Sequence, residues 1–219
     1  MDSPQIVGLG GNPQDVMLEY ALGLARGPKL LYVPTASNED PAWTAVWEKR
    51  LLGRATMTPL CFNPWPPDDL RELTLAHDVV LVPGGNTANM LAIWRVHGFD
   101  AILREAWQSG VLLTGWSAGM ICWFEAGVTD SFGPQLEGMR DGLGFLPGSA
   151  CPHYDTEERR RPVYRGLVQD GFPAGIALDE AAGAHYVGTE LKEFVASQPG
   201  ARGYRVEPEG EGFFGTRLL

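Results

Sequence analysis

The chain is poor in cysteine: Cys61, Cys122 and Cys151 are its only three. They are too few and too scattered for a disulfide framework. No C-x-x-C or Cys/His ligand spacing accompanies them, so no metal site is expected. Positive charge is scarce as well. Seventeen Lys and Arg against 27 Asp and Glu leave a net charge of −10. A nucleic acid or an anionic membrane as main partner would call for a basic surface, so neither is expected. No run of about 18 apolar residues occurs, which argues against a membrane-spanning helix. The first residues hold no basic region followed by an apolar run, so no signal peptide is expected and a reducing cytoplasm is the expected compartment. No internal repeat or low-complexity tract stands out.

What is present is enough apolar residue for a full core: 44% of 219 residues, which predicts a single domain over 1–219. Apolar runs and helical periodicities alternate through the first half. Strands are predicted at Gln5–Gly10, Lys29–Val33, Ala55–Phe62, Asp78–Val82 and 111–116. Helices are predicted at Asp15–Arg26, Pro41–Leu52, Asp68–Ala76, from Asn86 or Thr87 to His97, and at Phe99–Ser109. Strands that are apolar throughout, separated by helices, signify a mostly parallel sheet covered on both faces, a three-layer α/β sandwich. Beyond residue 127 turns are dense. A short strand is predicted at Ser149–Tyr154 and a charged helix at Glu157–Val168. β segments at 174–178, 182–187, 190–196 and 203–207 read as an antiparallel meander finishing the sheet.

Chemistry concentrates at residues 111–119. Three apolar residues run through Thr114 into Gly115-Trp116-Ser117-Ala118-Gly119, a G-x-S-x-G pattern, and Met120–Ala126 reads as the helix that follows. Strand, sharp turn bearing a serine, then helix is a nucleophile elbow. The turn lifts the Ser117 hydroxyl clear of the sheet, beside amides able to hold an oxyanion. In parallel α/β sheets ligands bind beyond the carboxyl ends of strands, and Pro83-Gly84-Gly85-Asn86-Thr87 lies at another such end.

A serine hydroxyl needs a base, and the base usually needs a carboxylate to orient it. Of four histidines, His77 sits at the wrong end of a buried strand. His97 suits a helix C-terminus, and His185 reads as a satisfied surface or edge residue. His153 follows Cys151-Pro152, where proline favours extended backbone, and a loop can present it. Asp130, Asp155, Asp179 and Glu180 are the candidate carboxylates.

Together, Pro83-Gly84-Gly85-Asn86-Thr87, Gly115-Trp116-Ser117-Ala118-Gly119 and Pro152-His153-Tyr154 resemble the peptidase E family of serine peptidases. That family includes aspartyl dipeptidase and cyanophycinase and has the class I glutamine amidotransferase-like fold. The resemblance spans roughly residues 5–195. It implies Ser117 as nucleophile, His153 as general base, and the N–H groups of Gly85 and Ala118 as the oxyanion hole. For the third member, aspartyl dipeptidase points to Asp130 in Val128-Thr129-Asp130. Cyanophycinase points to Glu180 in Ile176-Ala177-Leu178-Asp179-Glu180, which is favoured here because a strand-end acid could reach His153.

The chain departs from the family after the histidine. Aspartyl dipeptidases have a longer loop there, leading to an arginine that binds the substrate aspartate. Here the loop is short, Glu157 stands at the best-matching position, and Arg159, Arg160 and Arg161 follow. These arginines, with Asn86 and Trp116, are the candidate substrate contacts. The alternative for the arginines is a helix face pairing Glu157 with Arg160 and Arg161. The resulting expectation is a cofactor-free serine peptidase of short peptides. The alternatives are a cyanophycinase-like hydrolase of β-aspartyl links or a non-catalytic small-molecule-binding member of the fold. A homodimer is compatible with the seven tryptophans.

Overall fold

Strand β1 (Gln5–Leu9) lies near the middle of the main sheet, and the first half of the chain builds outward from it. In order come α1 (Asp15–Gly23), β2 (Lys29–Tyr32), α2 (Pro41–Leu51), β3 (Thr56–Pro59), α3 (Leu70–Leu75), β4 (Val79–Val82), α4 (Thr87–Val96), α5 (Phe99–Gln108) and β5 (Leu112–Trp116). The computed structural model describes residues 3–219. Local chemistry starts the helices where the sequence predicts. Pro41 opens α2 behind Asp40, whose carboxylate accepts from the Ala42 N–H at 2.8 Å. Asn86 caps α4 by accepting from the Asn89 N–H at 2.9 Å.

Strands β1, β5, β4, β2 and β3 pair in parallel in that order. Alternate residues of each strand enter different cores. Val79 and Leu81 pack with Met17, Leu18 and Ala21 of α1 and Trp47 of α2. Val80 and Val82 pack with Met90 and Trp94 of α4 and Phe99 and Leu103 of α5. Burial on both faces is why β4 is apolar at every position.

The second half follows a different plan. It comprises α6 (Ala118–Ile121), β6 (Phe124–Thr129), β7 (Glu137–Met139), β8 (Leu146–Cys151), α7 (Arg160–Gln169), β9 (Gly175–Leu178), β10 (Ala182–Val187), β11 (Glu190–Ala196), β12 (Gly203–Glu207), β13 (Gly210–Phe214) and β14 (Thr216–Leu218). The helix predicted over Met120–Ala126 is a single turn, and the chain re-enters extended structure at Phe124. The reason is pairing: Phe124, Ala126 and Gly127 align with Leu146, Ser149 and Ala150 of β8, and tertiary pairing overrides helical periodicity.

The C-terminal strands are largely antiparallel, but they do not finish one sheet. β10 and β11 extend the main sheet, β10 antiparallel to β1, and β14 runs parallel to β11 at its edge. β9 joins β8 and β6 in parallel, and β12 and β13 continue antiparallel from it. Among the described residues the result is an eight-stranded sheet beside a six-stranded one. Helix α7 covers one face of the smaller sheet through Tyr164 and Val168. Ala150, Ile176 and Leu178 belong instead to the core shared with β10 and β11. Among the described residues no helix is long and apolar enough to cross a membrane.

Candidate active site

Three strand ends carry the candidate residues. Ser117 follows β5 of the main sheet directly. His153 comes two residues after β8, and Glu180 two residues after β9, both of the second sheet. Ser117 has φ 54° and ψ −113°, a strained combination for a side chain with a Cβ, of the kind found at active sites and costing of order 1–3 kcal/mol. Its N–H donates to the Leu9 carbonyl of β1 at 3.3 Å, and its carbonyl accepts from Met120 and Ile121. The backbone is thus held on both sides. Its side chain does not cap the short helix. The motif's flanking glycines answer to one neighbour: a Cβ at Gly115 or Gly119 would stand 2.3 or 2.0 Å from the Val82 carbonyl oxygen of β4.

Gly84 packs directly on Ser117, and Gly85 has φ 141° with no room for a Cβ beside the Ala36 carbonyl. The adjacent Asn86 N–H donates to that same carbonyl at 2.8 Å. Among the described residues the N–H groups of Gly85 and Ala118 donate to no protein acceptor.

β8 and β9 are parallel neighbours with Cys151 opposite Ala177, so their trailing residues emerge side by side. His153 Nδ1 lies 2.5 Å from Glu180 Oε2. Thr156 Oγ1 donates to the same carboxylate oxygen at 3.3 Å, and Asp155 Oδ1 accepts from the Glu180 N–H at 2.7 Å. The turn that carries the histidine therefore grips Glu180 at three points. The hydrogen bond from His153 holds the Glu180 carboxyl below the ordinary glutamate range, against the opposing effect of burial. Asp155 and Thr156 support this pair without a motif of their own. Asp155 is among the candidate carboxylates of the sequence, whereas Thr156 is signalled only by its nearness to His153.

Asp130 is exposed just beyond β6, and its side chain makes no hydrogen bond among the described residues. Asp179 is buried, with Oδ2 accepting from the Arg202 N–H at 2.8 Å and Oδ1 left without a partner among the described residues. Burial pushes its carboxyl up to about 6. A folded-state pKa above the unfolded value of 3.8 means that Asp179 leaves stability intact below pH about 4 and subtracts from it as pH rises through about 6. Asp179→Asn is therefore expected to gain stability over wild type as pH goes from 4 to 7, by up to about 3 kcal/mol. Urea unfolding at the two pH values measures this, and equal differences at both would refute it.

The arginines separate. Arg160 is buried, its Nε donating to Glu157 Oε2 at 2.7 Å and Nη1 to the Val128 carbonyl at 2.7 Å. Its expected substrate contact is corrected to a structural role, because its donors are spent inside the protein. Arg161 pairs with Glu211 rather than Glu157 and lies over the rings of Tyr154 and Tyr204. Arg159 is exposed and makes only 3.3 Å contacts, to Gln135 Oε1 and the Pro134 carbonyl. Trp116 is 8% exposed and stacked on Trp47 at 4.9 Å, so most of its ring packs in the core, while its Nε1 lies beside Gly84. Asn86, besides capping α4, donates from Nδ2 to the Ser131 carbonyl at 2.9 Å, tying the 131–135 loop to the site.

The other histidines are occupied. His77 is buried against the Leu73 carbonyl, and His97 ends α4 against Phe62. His185 is not a surface or edge residue: β10 lies between β1 and β11, and the ring meets Tyr20 Oη and Gln5 Oε1. Burial pushes its pKa down. The thiols of Cys122 and Cys151 are buried and pushed up, Cys151 to about 12, which removes them as nucleophiles. Among the described residues no group of three or more His, Cys, Asp and Glu could hold a metal ion.

The sequence profile of Peptidase family S51 matches residues 12–194. The "Uncharacterized peptidase YgaJ" of Bacillus subtilis (strain 168) is 41% identical over 218 residues, covering 92% of this chain and 91% of that protein. A "Peptidase E" of Shewanella denitrificans is 27% identical over 134 residues, 57% of each chain. Among solved structures, a peptidase from an acI-B1 actinobacterium superposes with a TM-score of 0.72 at 16% identity, covering 98% of this chain and 95% of that one. At that identity the likeness speaks for the fold.

Proposed function

Because the chain belongs to peptidase family S51, a family of serine peptidases, we propose that it hydrolyses short peptides through an acyl-enzyme on Ser117. The observation that carries this reading is the 2.5 Å contact of His153 Nδ1 with Glu180, at strand ends of the second sheet. With Nδ1–H donated to the carboxylate, Nε2 is the ring nitrogen left to accept the Ser117 proton. The alkoxide then attacks the scissile carbonyl. The oxygen that gains charge is met by the N–H groups of Gly85 and Ala118, which donate to no other acceptor among the described residues. His153 returns its proton to the leaving amine, and water repeats the cycle to release the acid. Glu180 stays ionised throughout and stabilises the imidazolium.

For the substrate, Arg159 is the one of the three arginines whose guanidinium is exposed and weakly engaged, so a carboxylate on the substrate would be met there. Glu157 occupies the position where an aspartate-binding arginine would stand. The proposed preference is therefore short peptides without a strict need for an N-terminal aspartate.

A panel of di- and tripeptides, with β-Asp-Arg included and products identified by mass spectrometry, tests the reading. Cleavage of α-linked dipeptides with several N-terminal residues is expected, together with a fluorophosphonate adduct mapped to Ser117. Cleavage of β-Asp-Arg alone would favour the β-aspartyl hydrolase. Absence of both turnover and adduct would point to a binding protein.

A further inference from the structure

His153 sits in a backbone conformation that its Cβ disfavours. Its φ is 55°, in the left-handed region, and such a conformation persists only where its surroundings over-determine it. Three backbone bonds contribute: the His153 N–H donates to the Gly10 carbonyl at 3.1 Å, the His153 carbonyl accepts from the Glu157 N–H at 3.1 Å, and the Tyr154 N–H donates to the Leu178 carbonyl at 3.0 Å. The Tyr154 side chain supplies a fourth hold. Its ring is buried, edge-on to Tyr164 at 6.4 Å and tilted against Tyr204 at 5.1 Å. Its hydroxyl donates to Glu211 Oε2 at 2.7 Å.

Glu211 stands on β13, outside the residues 12–194 matched by the family profile. Its side chain is 11% exposed and it also accepts from Arg161, which spans both tyrosine rings. Burial pushes the Glu211 carboxyl up, but the hydrogen bonds from Arg161 and Tyr154 outweigh it and hold the group below the ordinary range. An ionised acceptor on the C-terminal hairpin thus grips the residue next to the histidine.

We propose that Glu211, acting through Tyr154, is a positioning residue for His153; the proposal rests on the reading of His153 as general base. Tyr154 released from Glu211 lets the 153–154 backbone relax out of the left-handed region, which turns the imidazole away from Glu180. The hairpin β12–β13 then serves turnover as well as stability, although Glu211 touches no reacting atom.

Three variants of the full chain test this, with Ser117→Ala run beside them. Glu211→Gln keeps an oxygen acceptor for the Tyr154 hydroxyl and is expected to retain kcat within about threefold. Glu211→Ala and Tyr154→Phe are each expected to lower kcat about 10- to 100-fold with KM within twofold, the scale of a displacement of about 1 Å. Turnover is read on the dipeptide that wild type cleaves fastest, per molecule shown folded by circular dichroism at the assay temperature. The same ranking is expected in the limiting rate of fluorophosphonate labelling of Ser117. Retention of kcat by Tyr154→Phe and Glu211→Ala, or a rise in KM alone, overturns the positioning role while an inert Ser117→Ala leaves the proposed mechanism standing. If Ser117→Ala itself turns over normally, the mechanism falls and the positioning role with it. Should Glu211→Ala fail to fold, Tyr154→Phe decides, since it removes one hydroxyl and leaves the ring in place.

Discussion

Ser117→Ala is expected to lower kcat/KM on a cleaved peptide by several powers of ten, about a million-fold at most. The magnitude follows from what is left behind. Without the hydroxyl no acyl-enzyme forms, and the residual rate over water comes from binding and from the N–H groups of Gly85 and Ala118. The substitution should spare the fold. Alanine carries the same Cβ as serine, and the bonds that hold residue 117, to Leu9, Met120 and Ile121, are all made by its backbone. The strained φ of 54° is therefore neither relieved nor worsened. His153→Ala should cost nearly as much, and the double variant little more than either single one, because the pair acts as a unit. The measurement is kcat/KM for the three proteins with intact near-ultraviolet spectra. Near-wild-type turnover by folded Ser117→Ala would end the acyl-enzyme reading.

How much of this was legible in the sequence depends on how local the cause is. β4 is apolar at all four positions because helices cover both its faces, so Val79–Val82 reads as a buried strand without knowledge of its neighbours. The tight turn at Ser117 is legible for the same reason: Gly115, Ser117 and Gly119 lie within five residues, and the one outside contact that demands both glycines is a single carbonyl, that of Val82. His153 was marked by the proline before it.

What was not legible has partners far along the chain. Phe124–Ala126 ends a segment with the apolar content of a short helix, and pairing of β6 with β7 and with β8, 22 residues on, makes it a strand. Arg160 reads as a substrate contact or, in the alternative, as a helix-face partner of Glu157, and nothing in the sequence marks it as buried. It is buried because the Val128 carbonyl, 32 residues earlier, and Glu157 accept its donors. Glu211 carries no motif, and its partners Tyr154 and Arg161 are 57 and 50 residues away. The division of the C-terminal strands between two sheets has the same origin. β9 and β10 are separated by only a short turn, yet one pairs with β8 and the other with β1.

The second large effect concerns the acid. Glu180→Ala is expected to lower kcat/KM about 10³- to 10⁴-fold, whereas Asp130→Ala should change it less than about threefold. Glu180 holds His153 Nδ1 at 2.5 Å and is itself held by Thr156 and by Asp155. Asp130 is exposed and hydrogen-bonded to nothing through its side chain among the described residues. Glu180→Gln distinguishes orientation from charge. The amide oxygen can still accept Nδ1–H, but the amide nitrogen can donate to Nδ1 and stabilise the unproductive tautomer, so a loss of at least 10²-fold is expected without disruption of the turn. The linkage has a definite sign. Because the His153 hydrogen bond depresses the folded-state pKa of Glu180, its stabilising contribution is present above the ordinary glutamate range and is lost as pH falls through the depressed value. Glu180→Gln should therefore be less stable than wild type near neutrality and converge with it in acid. A loss of several powers of ten in Asp130→Ala, with Glu180→Ala near wild type, would move the acid to the loop after β6. His153 would then have to leave its contact with Glu180 in the reacting state.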